Sequence, residues 1–157
     1  MASIQKPLII PVFIPHAGCP HRCAFCNQSI IAGASAAPLD LSNIRLQISS
    51  FLDGCRKGSR PCQIAYYGGN FLGLSLDRIT TLLREATRFV AEKRARGLRF
   101  STRPDTLDPR RLGLLTGFPV EMVEIGAQSM DDRVLEASRR GHTAADTVRA
   151  ASLVRKG

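Results

Sequence analysis

The stretch LIIPVFIPHAGCPHRCAFCNQ, residues 8–28, joins an apolar strand to a cysteine loop. Leu8 to Ile14 is a continuous apolar run of strand length. Pro11 inside it predicts an edge strand or a bulge, because proline cannot donate to a ladder. The loop that follows is rich in Pro, Gly and Cys and ends near Gln28. Within it Cys19, Cys23 and Cys26 recur at C-x3-C-x2-C spacing, close enough for three thiolates to converge on one metal centre.

Outward from this stretch, strand-like and helix-like segments alternate. Asp40 caps a helix with Leu41, Ile44, Ile48, Phe51 and Leu52 on its apolar face, closed by Gly54. Gln63 to Tyr67 reads as a second strand and runs straight into Gly68, Gly69 and Asn70. Ser75 starts a helix with Ile79, Leu82, Leu83, Ala86 and Val90 on one face, ending before Gly97. Leu98 to Thr102 is a third strand entering Arg103 and Pro104, and a short helix follows. Met122 to Ile125 is a fourth strand, followed by Gly126. Ser129 with Asp132, and Thr143 with Asp146, form capping-box patterns for two last helices. The order predicts an α/β fold with a parallel sheet, in which function collects at the carboxyl ends of the strands. The unusual residues lie there: the cysteine loop, Gly68–Gly69, Ser101–Asp105 and Gly126–Ser129.

Composition sets the outer bounds. The chain has 157 residues, 44% hydrophobic and 22% charged, which is room for one ordinary globular domain and excludes a disordered one. No apolar run approaches the roughly 18 residues of a membrane span, and no secretory signal is visible. Five cysteines without such a signal indicate ligation or buried thiols in a reducing cytosol rather than a disulfide framework. Localisation is therefore expected to be cytoplasmic. Net charge is +9, and 18 of the 22 basic residues are Arg. Without a block of five like charges, this reads as a solvated basic surface, with nucleic-acid binding as the alternative. No phosphate-binding GxxxxGK[ST] or dinucleotide fingerprint occurs.

Two metals suit the loop. A 4Fe–4S cubane normally takes four thiolates, one per iron, so three would leave one iron open for chemistry. A zinc ion could instead take the three thiolates with His16 or His21 as Cys3His. Cys55 and Cys62 lie on other elements and read as buried or incidental thiols.

C-x3-C-x2-C with Phe25 just before the last cysteine resembles the signature of the radical S-adenosylmethionine (SAM) superfamily. Tyr67–Gly68–Gly69–Asn70 is similar to the Gly-Gly motif after that family's second strand. STRPD (Ser101–Asp105), EIGAQSMDDRVL (Glu124–Leu135) and RRGHT (Arg139–Thr143) resemble two of its branches, the elongator catalytic subunit and oxygen-independent coproporphyrinogen oxidase. The motifs run in order from residue 8 to about 150.

The resemblance implies a 4Fe–4S cluster on Cys19, Cys23 and Cys26. Its open iron would bind SAM through the amino and carboxylate groups, and one electron would cleave SAM to methionine and a 5′-deoxyadenosyl radical. It further implies SAM contacts from Gly68 and Gly69 through exposed backbone, from Asn70 and Ser101, from Gln128 to ribose, and from Arg140 to the carboxylate. Phe25 would pack beside the adenine. Asn70 and Ser101 stand where some relatives carry an acidic residue, as happens among elongator-like sequences. Arg103 and His142 are further candidates, and His16, Asn27 and Gln28 would at most support the ligands. A reduced flavodoxin or ferredoxin would supply the electron, and tRNA is the substrate class of the elongator branch. A tetrapyrrole-pathway oxidase and a non-catalytic iron–sulfur or zinc fragment are the alternatives. Family cores are partial barrels of six strand–helix units. Only four strands are counted here, so residues 1–157 are expected to be a radical SAM core cut before its fifth strand, with an exposed apolar fourth-strand edge and poor solubility.

Overall fold

The computed structural model describes residues 6–14, 18–26, 40–54 and 60–156. Four strands, β1 (Leu8–Phe13), β2 (Cys62–Tyr67), β3 (Gly97–Thr102) and β4 (Val120–Ile125), form one sheet in the order β1-β2-β3-β4. Every neighbouring pair is parallel, with Ile10 opposite Ile64, Ile64 opposite Leu98, and Phe100 opposite Val123. Helices α1 (Leu41–Gly54), α2 (Leu76–Ala91) and α3 (Pro109–Leu115) alternate with the strands, and α4 (Asp132–Ala137) and α5 (Ala144–Lys156) follow β4. This is the order the sequence predicts, with β1 and its Pro11 at an edge among the described residues. Two short 3-10 turns, Phe71–Gly73 and Pro104–Thr106, were not foreseen. His16, Asn27, Gln28 and Cys55 lie outside the described residues.

Alternation within the strands sends Ile10, Val12, Ile64, Tyr66, Leu98 and Phe100 to the helix-covered face, where all are fully buried. Phe71, on the turn after β2, stacks between Tyr66 (5.2 Å between centroids) and Phe100 (4.5 Å). The Tyr66 hydroxyl donates to the Leu82 carbonyl at 2.7 Å, so this polar tip is buried with its bond made. Ile79, Leu82, Leu83, Ala86 and Phe89 of α2 close over the stack. On α1, Ile44, Ile48 and Leu52 are buried as expected, but Phe51 is half exposed, because it lies next to the buried stripe and off its centre.

Helix starts follow local chemistry. The Asp40 carboxylate accepts from the amides of Ser42 and Asn43, and the Ser75 hydroxyl from that of Arg78. Thr143 and Asp146 exchange bonds in a reciprocal capping box (2.8 and 3.2 Å). The Ser129–Asp132 box does not form. Asp131 caps α4 through the Arg133 amide, Ser129 accepts from the Asp131 amide, and Asp132 is drawn away to the Ala144 amide at 2.7 Å.

β4 begins at Val120, two residues before the expected start. A register shift opposite Leu98 and Arg99 absorbs Glu121, whose side chain crosses over Gly97. The unpaired side of β4 borders an apolar recess of about 430 Å³ lined by Leu112, Leu115, Phe118, Val120, Met122, Val123 and Val154. The expected apolar edge is therefore present among the described residues. None of their helices is long and apolar enough to cross a membrane.

Candidate functional site

At the carboxyl ends of the strands lies a cleft of about 270 Å³. Its walls are Cys19, Phe25 and Cys26 from the loop after β1, Gly68 and Gly69 after β2, Ser101 to Arg103 at the end of β3, Gly126 and Gln128 after β4, and Arg140 after α4. Among the described residues, the site residues expected from the sequence line this cleft except Cys23, Asn70 and His142. Four separate loops converge because parallel strands deliver all their carboxyl ends to one edge.

Cys23 lies behind the wall, buried, between two guanidinium groups. Arg140 Nη1 is 3.3 Å from its sulfur and Arg103 Nη1 is 4.0 Å away. Both arginines are buried, at 8% and 2% exposure. Arg103 is held by Asp105 through a two-point bridge (2.9 and 3.0 Å) and donates to the Arg140 carbonyl at 2.5 Å. Arg140 donates to the Gly126 carbonyl at 2.6 Å, while its buried Nε has no partner. The end of α4 puts it there. The Arg140 amide bonds back to Leu135 and the Arg139 amide to Glu136, a Schellman turn in which Arg139 takes the left-handed φ of +54° usually given to glycine.

Two buried cations with a single carboxylate leave one positive charge uncompensated, an arrangement that favours anions in the cleft. Thiolates and the carboxylate of a bound amino acid are such anions. Burial pushes the Cys19 thiol up, and Arg103 and Arg140 oppose that shift. The donor set, the surplus cation and the orphaned Nε fit a thiolate-held cluster with an anionic partner. Among the described residues no three Cys, His, Asp or Glu side chains gather round one point as a single-ion site requires. A cubane makes no such demand, since each thiolate holds a different iron.

Asn70 is placed differently from the expectation of a cofactor contact. It is fully buried, and its amide is consumed by protein. Nδ2 donates to the Gly18 carbonyl at 2.8 Å, while Oδ1 accepts from Thr102 Oγ1 (2.8 Å), the Arg103 amide (3.0 Å) and Thr106 Oγ1 (3.0 Å). It ties the cysteine loop to the ends of β2 and β3. Gly18 (φ +88°) and Gly73 pass so close to this junction that a Cβ on either would collide with backbone.

The exposed walls of the cleft are conformationally special too. Gly68 sits at φ +88° against the Ile14 carbonyl, and Gln128, a non-glycine, is held at φ +68°. Just below, Tyr67 donates to Glu124 at 2.6 Å, and Arg99 bridges the same carboxylate at 2.6 Å. Burial, and then Glu124, push the Tyr67 phenol up to about 12.

The sequence names Arg103 as a candidate but does not reveal Asp105 as its partner. The only signal available was their position at the end of β3. His142 is buried with Nε2 3.2 Å from the Ala127 carbonyl, and its burial holds it below the usual imidazole range. His21 packs its ring over Gly141.

A family model described as the radical SAM superfamily matches residues 13–157. The chain belongs to the radical SAM superfamily. A 30% identical relative from Methanocaldococcus jannaschii, named only as an uncharacterized protein, aligns over 93% of this chain and 47% of its own length. A tRNA uridine(34) acetyltransferase of Methanocaldococcus infernus is 29% identical over 98% of this chain and 35% of its own. An oxygen-independent coproporphyrinogen-III oxidase-like protein, HemZ of Bacillus subtilis, is 23% identical over 88% and 29%. Both branches suggested by the motifs are thus among the relatives. The solved structure of archaeal Methanocaldococcus infernus Elp3 with an N-terminal deletion superposes with a TM-score of 0.60 at 18% identity, covering 94% of this chain and 35% of that one. The four strand–helix units match part of the radical SAM barrel. The chain spans less than half the length of the curated relatives it matches.

Proposed function

We propose that this chain is the cluster-binding part of a radical SAM enzyme, with Cys19, Cys23 and Cys26 holding a 4Fe–4S cluster and the cleft beside them holding SAM. The observation that carries the reading is the shared cleft, in which the cysteine loop and the loops after three strands meet around two buried guanidinium groups. When bound, the cluster supplies the electron that cleaves SAM to methionine and a 5′-deoxyadenosyl radical. Thiolates suit iron because they are soft donors.

The chain's own residues bind and orient. Arg140, already beside Cys23, lines the cleft and would offer its fixed positive charge to the SAM carboxylate. Gly68 and Gly69 expose main chain to the amino group, since no side chain stands in the way. Gln128 and Ser101 line the cleft, where Gln128 would contact the ribose, and Phe25, more than half exposed, would pack beside the adenine. Asn70 acts beneath them by holding the loops in register.

In this reading residues 1–157 make up the first four units of a six-unit barrel, in the cytoplasm, with a reduced flavodoxin or ferredoxin as electron donor. A tRNA is the substrate class favoured by the names of the acetyltransferase relatives, and the net charge of +9 is compatible with it. No acetyl transfer is proposed.

The test is anaerobic reconstitution with iron and sulfide, followed by SAM and a strong reductant. The reading expects 5′-deoxyadenosine from the native chain and none from Cys23→Ala. A protein that takes up zinc alone and leaves SAM intact would sink it.

A further inference from the structure

Arg103 is the most buried cation of the cleft, and it reaches Cys23 without lying open to a ligand in the way Phe25 and Gln128 do. Three of its contacts fix it. Asp105 grips Nε and Nη2, the Arg140 carbonyl takes a second Nη2 hydrogen, and its own amide is held by Asn70. That leaves Nη1 aimed at the Cys23 sulfur. A guanidinium in this position serves the sulfur electrostatically, and it cannot lose its charge by deprotonation.

From this we infer that Arg103 and Asp105 form a charge couple that sets the reduction potential of the metal centre on Cys23. Arg103 raises the potential, and Asp105 both orients Arg103 and partly offsets its charge. The inference rests on the reading of Cys19, Cys23 and Cys26 as cluster ligands. The physical reason is that adding an electron increases negative charge at the sulfurs, and a fixed buried cation nearby stabilises that added charge more than solvent-exposed arginines can. Asp105 carries the opposite sign on the Nε and Nη2 edge of the same guanidinium, so its removal acts in the opposite direction. A purely structural brace predicts no such opposition, because loosening it from either end disturbs the same loop.

The experiment is an EPR-monitored redox titration of reconstituted native protein, Arg103→Gln, Arg103→Lys and Asp105→Asn, with iron and acid-labile sulfide measured on each. The couple predicts a more negative midpoint in Arg103→Gln, by about tenfold in the reduction equilibrium or about 59 mV for one electron. It predicts a more positive midpoint in Asp105→Asn, and a return toward the native value in Arg103→Lys. If Arg103→Gln takes up no iron, the Asp105→Asn midpoint decides alone. Shifts in the same direction, or an Asp105→Asn midpoint that is unchanged or more negative, overturn the inference. Failure of the native chain to assemble a cluster is a separate result, which overturns the cluster reading itself.

Discussion

On the helix-covered face of the sheet, Tyr66, Phe71 and Phe100 stack in full burial, and the one polar tip among them, the Tyr66 hydroxyl, has its hydrogen bond. At the carboxyl end of the same strands, Arg103 and Arg140 are both buried, yet only Arg103 is paired with a carboxylate, and the Arg140 Nε has no partner. The first region is close-packed and satisfied, as interiors normally are. The second keeps a surplus charge, a non-glycine in the left-handed region and open backbone at Gly68. The difference separates what holds the chain together from what leaves it poised for a ligand. Asn70 stands at the border, with its face to the core and its bonds to the loops of the cleft.

The comparison is broken most sharply in the stack. Phe71→Ala removes the middle ring, and the lost contacts plus the cavity cost about 3–5 kcal/mol, read by urea or thermal unfolding. Next comes the border residue. Asn70→Ala orphans the Arg103 amide and the Gly18 carbonyl, at about 2–3 kcal/mol in the same measurement, and loosens the loop that carries Cys19. A substitution confined to the second region behaves differently. Gln128→Gly relieves the left-handed backbone and leaves stability unchanged or about 1 kcal/mol higher, whereas a loss would show that Gln128 is part of the packed core.

The smallest effect is a titration. The chain has two tyrosines, and Tyr66 is pushed up further than Tyr67 by complete burial. Absorbance should therefore show Tyr67 ionising near pH 12, and Glu124→Gln should lower that value. Because the folded phenol ionises above its unfolded range, its contribution to stability is whole below about pH 10 and is lost as pH rises toward 12.

Much of the architecture was legible because it rests on local pattern. Apolar runs of strand length, Pro11 at an edge, Asp40 and Ser75 as caps, and glycines after strands each carry their own physical cause. The cysteine spacing was equally plain. What stayed hidden depends on contacts distant in sequence. Nothing local says that Asn70 turns inward to Gly18, 52 residues away, or that Arg103 is buried beside Cys23, 80 residues away. The extra residue Glu121 and the half-exposed Phe51 likewise follow from how neighbouring elements meet.

Everything proposed for the cleft depends on Cys19, Cys23 and Cys26 holding a 4Fe–4S cluster. Iron and acid-labile sulfide, counted per chain after anaerobic reconstitution, test it most directly. About four of each are expected per native chain, with a loss of both in Cys23→Ala. Zinc at one per chain with no sulfide, or an undiminished iron count in Cys23→Ala, would contradict it.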